Sequence, residues 1–197
     1  MSTETWPVAM VTGHRRVAAA DRPWVAQQLR EVATKLQSEH GTETAVSGMA
    51  LEVDTTWAEI ALELDLKLVA AIPFPSQSCD PVAPANQQWT VDQQVVWASL
   101  VSQAHAVHMV SDSDPRDFKE RVAMLHKRND AMLRVAQVVV GVWDEGNLRS
   151  GTSSCLCKAY SAGLPIILLN LKHRGRPRRP SDQWWSQALE VPMRRAA

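Results

Sequence analysis

Cysteine is scarce in this chain, tyrosine and phenylalanine are scarcer, and a net charge is absent. The three cysteines, Cys79, Cys155 and Cys157, are odd in number and follow no framework spacing. That argues against a disulfide scaffold and for a reducing compartment. Cys155 and Cys157 form C-x-C rather than C-x-x-C, no second ligand pair stands at zinc spacing, and the scattered histidines include no H-x-x-x-H. No metal site and no cofactor is expected. Lys+Arg and Asp+Glu are equal at 21 each, so no global field draws the chain to nucleic acid or to a membrane surface. No apolar run approaches a membrane span and no signal-peptide pattern is visible, so the expectation is a cytoplasmic protein without a membrane partner. The first loop after a strand-like run holds only Gly13, which leaves no G-x-G-x-x-G and no NAD fingerprint.

What is present is apolar and regularly punctuated. Hydrophobic residues make up 45% of 197, enough for one compact domain with a full core. Trp supplies most of the aromatic volume, and Trp6, Trp24, Trp57, Trp89, Trp97 and Trp143 fall in or beside core segments. Strand-like runs occur at Pro7–Thr12, Thr44–Gly48, Lys67–Ile72, His105–Val110, Val138–Trp143 and Pro165–Leu171. Helical spacing separates them at Asp21–Gly41, Thr55–Leu64, Val91–Ala104, Asp114–Ala136 (one helix or a pair) and Thr152–Gly163. Strict β/α alternation with unbroken apolar strands predicts an α/β, three-layer, Rossmann-like doubly wound fold with a mainly parallel sheet. Such sheets bind ligands beyond the C-terminal ends of their strands, at a switch in strand order. A long Pro-rich loop from Pro73 to about Trp89 is unusual inside a compact domain and points to function.

The strand-end loops carry a pattern. In order they read "VTGHR" (Val11–Arg15), "SGMALEVDTTWAEIALEL" (Ser47–Leu64), "IPFPSQ" (Ile72–Gln77) with Trp89 further on, and "DFKERVAMLHKRNDAMLRVAQVVVGVWD" (Asp117–Asp144) before "SGTSSCLCKA" (Ser150–Ala159). This order resembles the YpsA-like branch of the SLOG superfamily, the Rossmann-like group that also contains DprA and the LOG phosphoribohydrolases. The resemblance spans Val8 to Leu171. It implies a site for a nucleotide or nucleotide-derived small molecule, and a homodimer or higher homo-oligomer. The ligand-facing candidates are Gly13, His14, Arg15, Ser47, Gly48, Met49, Asp54, Pro73, Phe74, Arg128, Asn129, Trp143, Asp144, Ser150, Gly151 and Thr152.

Several of these have a competing structural role. Gly48 permits a tight turn that brings amides toward an anion, or serves an ordinary βα connection. Asp54 caps a helix or bonds a ligand, with capping favoured, and Thr56-x-x-Glu59 suggests a capping box. Family members carry glycine where this chain has Glu52, whose carboxylate would repel phosphate unless it points away or bonds a ribose hydroxyl. Asn129 lies on an apolar stripe with Val122, Leu125, Met132 and Ala136 and either fastens a loop or contacts ligand. Arg128 reaches a phosphate or pairs at the surface with Asp114, Asp117 or Glu120. The LOG resemblance assigns such an arginine to the active site. His105 and His108 read as packing or strand-edge residues.

LOG enzymes carry Gly-Gly-x-Gly-Thr-x-x-Glu, whose carboxylate serves the cleavage of a base–ribose bond. Here Cys155 stands at the glutamate position. A thiol is a poor substitute for a carboxylate base, and a small buried core cysteine is the favoured role for Cys155. No catalytic residue is assigned, and the sequence favours a nucleotide sensor or sequestering protein over a LOG-like phosphoribohydrolase. A third reading comes from the basic stretch "LKHRGRPRRP" (Leu171–Pro180), whose Arg174-Gly175-Arg176-Pro177 matches the core of a hook that enters the A·T minor groove of DNA. The expected division is a Rossmann-like domain over 1–172 and a basic linker with a short segment holding Trp184 and Trp185 over 173–197.

Overall fold

The structure is a computed structural model that describes residues 4–144, 150–172 and 174. Arg176, Trp184, Trp185 and nearly all of the expected C-terminal unit therefore lie outside the described residues.

Six strands form one parallel sheet: β1 (Val8–Gly13), β2 (Thr44–Ser47), β3 (Lys67–Ile72), β4 (Ala106–Met109), β5 (Val138–Trp143) and β6 (Ile166–Asn170). Their order is β4-β3-β2-β1-β5-β6, with every neighbouring pair parallel. The helices between them are α1 (Arg22–His40), α2 (Val53–Glu63), α3 (Val91–Gln103), α4 (Phe118–Val135) and α5 (Gly151–Ser161). The expected three-layer Rossmann-like fold is what the chain adopts.

Side-chain alternation along the central strands builds two cores. Ala9, Val11, Val138 and Val140 face one side with α1 and α2 residues such as Leu29, Leu36 and Trp57. Met10, Val46 and Val139 face the other with Met132 of α4 and Leu156 of α5. Both faces of a parallel strand are thus apolar, which is why these strands read as continuous runs. Gly41 ends α1 in the left-handed region at φ 66°, as a C-terminal glycine does. Asp114–Ala136 resolves into a single helix, capped by the Asp117 side chain, which accepts from Glu120 N. Of the six tryptophans expected in the core, Trp6, Trp57 and Trp143 are buried, while Trp24, Trp89 and Trp97 are half-buried. His105 and His108 are exposed at the β4 edge. No helix among the described residues is long and apolar enough to cross a membrane.

The entrance to α2 corrects two expectations. The helix starts at Val53, so Asp54 lies inside its first turn and caps nothing, and Thr56 and Glu59 fall too far along it to form an N-terminal box. The residue before the helix is Glu52, at φ 69° and ψ −103°, a backbone state that suits glycine. This is the position at which the resembling family carries glycine.

The order of strands reverses between β1 and β5. Their C-terminal ends therefore open into a crevice, between the loop after β1 and the start of α5.

Candidate functional site

That crevice holds a cavity of about 530 Å³. Gly13, His14 and Arg15 enter it from the β1 end, Asp54 from α2, Arg128 and Asn129 from α4, and Ser150, Gly151 and Thr152 from the start of α5. Nine of the sixteen sequence candidates thus converge on one space. Phe74 is buried and lines a smaller adjoining chamber. Ser47, Gly48, Met49, Pro73, Trp143 and Asp144 do not line the cavity. Met49 and Trp143 are core residues. Ser47 is fully buried, donating to Asp54 O at 2.7 Å and accepting from Met49 N at 3.1 Å. Asp144 N donates to His14 Nε2 at 3.0 Å, so the loop after β5 orients the histidine from behind.

The electrostatic centre is made of arginines. Arg128 is buried, and its Nη1 lies 3.3 Å from Asp54 Oδ2, which also accepts from Ala50 N. Its partner is therefore across the sheet end, not among Asp114, Asp117 and Glu120. Asp114 accepts from Ser76 N, Asp117 caps α4, and Glu120 pairs with Arg116. Burial raises the Asp54 pKa, and the guanidiniums of Arg128 and Arg15 and the Ala50 amide oppose it.

One turn pair earlier on α4, Arg121 is equally buried and forms an ion pair with buried Asp80 of the long loop. Sequence reasoning missed both. The available signal was the spacing of Arg121, Leu125, Arg128 and Met132, which places all four on one helical face.

Arg15 differs from the other two. Its guanidinium makes no ion pair or hydrogen bond among the described residues, although it lines the cavity. Burial, with repulsion from Arg128 and Arg121, pushes its pKa down to about 10. It is still charged near neutral pH, and both nearby carboxylates already hold other arginines. A cation in such a place gains most from an incoming anion.

Glycine shapes the site in ways other than those expected. The positive φ in the β2–α2 loop belongs to Met49 and Glu52, not to Gly48. A Cβ on Gly48 would lie 1.5 Å from Arg128 Nη1, so the glycine makes room for the arginine. A Cβ on Gly13 would lie 2.4 Å from Val53 Cγ1, so that glycine lets α2 pack onto the end of β1. Glu52 pairs with Arg22 at 2.7 Å and lines the smaller adjoining chamber.

Two histidines share the cavity. His14 accepts at Nε2, so its neutral ring carries the proton on Nδ1. Burial, partly offset by Asp144, lowers its pKa. His126, not singled out from the sequence, lines the wall near Asn129, and burial with repulsion from Lys158 lowers its pKa. The Asn129 side chain makes no hydrogen bond among the described residues and lines the cavity. Ser150 caps α5 in a box with Ser153, whose amide it takes, so of the first turn the Gly151 and Thr152 amides remain at the cavity wall. Cys155 is buried in the core, and burial pushes its thiol up to about 11. A neutral thiol there is neither a base nor a nucleophile.

Comparison with known proteins adds the fold and little more. No protein-family model matches the chain, and no curated protein matches it. Among solved structures it is similar to DNA processing protein A from Helicobacter pylori, described for its binding of single-stranded DNA, at 21% identity and a TM-score of 0.60. That match covers 94% of this chain and 73% of the other. It is similar to DprA from Streptococcus pneumoniae at 19% identity and a TM-score of 0.55, covering 95% of this chain and 57% of that protein. TM1055, a structural-genomics target, matches at 18% identity and 0.51, covering 93% and 81%. The DprA-type fold is thereby shared.

Proposed function

We propose that the protein binds a nucleotide or nucleotide-derived small molecule in the β1/β5 crevice, as a sensor or a sequestering protein, and that it belongs to the YpsA-like branch of the SLOG superfamily. The observation that carries this is Arg15: a half-buried, charged guanidinium without an ion pair among the described residues, in a cavity whose other two arginines are already neutralised. The amides at the start of α5 supply a second anion-seeking element. Together they suit a phosphate group, and the cavity volume suits the remainder of a nucleotide. The test is a thermal-shift panel of ADP-ribose, cyclic nucleotides and mononucleotides on the full chain, followed by mass spectrometry of small molecules released from the purified protein. A stabilising ligand whose effect disappears in Arg15→Ala supports the reading; no shift with any member and no released nucleotide sinks it.

Turnover is the weaker alternative, because a buried neutral Cys155 stands where the LOG reaction has glutamate. Release of free base from nucleoside monophosphates, abolished by Arg128→Ala, would reverse that order. DNA binding is favoured by one finding, the fold shared with a protein described as binding single-stranded DNA. The same arginine centre would then take a backbone phosphate. Of the basic tail, Arg174 forms an ion pair with Asp21, and Arg176 lies outside the described residues. Fluorescence anisotropy with single-stranded and A·T-rich duplex oligonucleotides, before and after removal of residues 173–197, separates groove binding by the tail from strand binding by the crevice.

We further assign residues 1–172 to the binding domain and 173–197 to a basic appendage, and place the protein in the cytoplasm, where the free thiols of Cys79, Cys155 and Cys157 would persist. A homodimer through the β4 edge is the oligomer that best fits the exposed Val95, Val107 and Met109. Sedimentation of the wild type and Val107→Lys tests it.

A further inference from the structure

A smaller chamber of about 180 Å³ adjoins the main cavity. Arg15, Arg121, Gln87 and Leu125 line both spaces, so the two arginines stand at their junction. The chamber differs in chemistry from the cavity. Its apolar walls include Phe74 and Trp89, and its polar walls include the carboxamides of Gln77, Gln87 and Gln88.

These walls are held in place by the long loop. Trp89 O accepts from Gln94 Nε2 at 3.3 Å, and the next residue, Thr90, caps α3 in a box with Gln93. The Trp89 ring meets Trp97 edge-on, with centroids 6.3 Å apart at 76°. Gln77 Nε2 donates to Gly48 O and Met49 O, each at 3.0 Å, which ties the long loop to the β2–α2 loop and fixes the amide. Its Oε1 is left buried without a partner. The side-chain amides of Gln87 and Gln88 make no hydrogen bond among the described residues.

We infer that this chamber receives the base of the nucleotide whose phosphate lies at Arg15 and Arg121; the inference rests on the nucleotide reading of the cavity. An oriented indole offers a face for stacking, which tolerates any base. Carboxamides present both donors and acceptors, as base edges do. A phosphate or sugar alone would use neither feature. The adjoining arginines set the distance between the two ends of the ligand, and Gln87, facing both spaces, borders the sugar. The long loop is thus the element that distinguishes a nucleotide from a simple sugar phosphate.

Isothermal titration of the full chain with ribose 5-phosphate and with AMP, GMP, CMP and UMP tests this directly. At least one nucleotide binds tighter than ribose 5-phosphate by about tenfold or more, the scale of one base–aromatic stack. Trp89→Ala removes most of that gap and leaves ribose 5-phosphate affinity unchanged, Trp89→Phe retains most of it, and Arg15→Ala weakens nucleotides and ribose 5-phosphate alike. Equal affinity for all five ligands in the wild type, or a gap that survives Trp89→Ala, overturns the base chamber while leaving the phosphate site standing. No binding by any of the five overturns both.

Discussion

The guanidinium of Arg128 stands where a side chain on residue 48 would be: a Cβ on Gly48 would lie 1.5 Å from Arg128 Nη1 and 2.8 Å from Asp54 Oδ2. The β2–α2 loop and α4 are therefore fitted to each other through a missing methyl group. Gly48→Ala should keep the fold, because the atom displaced is the end of a long side chain, but it should push Arg128 off Asp54. Circular dichroism should be unchanged, whereas affinity for the nucleotide should fall by roughly tenfold or more, the loss of one charge-assisted contact. Gly48→Ala combined with Arg128→Ala should be no worse for binding than either alone. Additive losses would show that the glycine acts elsewhere.

Arg15 and Arg121 should respond in opposite ways to loss of charge. Arg121 has a buried partner, and Arg121→Met leaves Asp80 alone in the interior, a change that costs about 3–5 kcal/mol in comparable buried pairs. Arg15 has no ion-pair partner among the described residues, so Arg15→Met removes an uncompensated, half-buried charge and should leave the ligand-free protein equally or more stable. Urea unfolding without ligand measures both. A large destabilisation by Arg15→Met would mean that the guanidinium is structurally satisfied, which would remove the main support for an anion site.

Acid should weaken the fold through the two cavity histidines. His14 and His126 both have pKa values lowered in the folded protein, mainly by burial. The unfolded chain, with histidine near 6.5, therefore takes up protons first as pH falls. This contribution to stability is complete above that value and is lost as pH drops through about 6.5. Unfolding free energies from pH 7.5 to 5.5 should show the decline, and the His14→Gln, His126→Gln double variant should flatten it. An unchanged slope would place the titrating groups elsewhere.

Residue 52 carries a backbone strain that glycine would relieve. Glu52 sits at φ 69° and ψ −103° and is held there by Arg22, whose side chain is half exposed. An ion pair that open to solvent contributes at most about 1 kcal/mol, comparable with the strain. Glu52→Gly should be close to neutral in stability, and Glu52→Ala should be the less stable of the two. Thermal denaturation ranks them, and an alanine variant as stable as glycine would contradict the strained geometry.

Thiol reactivity should follow burial. Cys79 is exposed, whereas Cys155 is buried with its thiol raised to about 11. At pH 8 in native buffer, iodoacetamide should modify Cys79 and spare Cys155 until the protein is unfolded, as peptide mass mapping would record. Rapid native labelling of Cys155 would reopen a nucleophilic role for it.

The sheet was legible from the sequence because parallel strands buried on both faces are unbroken apolar runs, and "VVVGVW" and "PIILLNL" can hardly be anything else. The cavity was half legible. Strand-end placement led to His14, Arg15 and Thr152, since loop position follows from the order of elements, and the LOG resemblance led to Arg128. Asp80, Gln77 and Arg121 were not, because nothing local distinguishes a buried ion pair from a solvated one when its members are 41 residues apart. Gly48 was noticed for the wrong reason. A glycine after a strand suggests a turn or an anion, while its actual neighbour, Arg128, is 80 positions away. Asp54 resembled a helix cap for a similar reason: its partner is on another helix and invisible to short-range spacing.

The sheet order has a consequence for how the protein comes into being. β1 lies between β2 and β5, so the crevice draws on residues 11–15, 50–54, 87, 118–132 and 150–152. No contiguous fragment contains it. During synthesis the chain can pair β1, β2, β3 and β4 in sequence, yet it cannot hold ligand until α5 has emerged and docked. A ligand of the proposed site would therefore act late, once α5 has docked, by slowing opening rather than by guiding assembly.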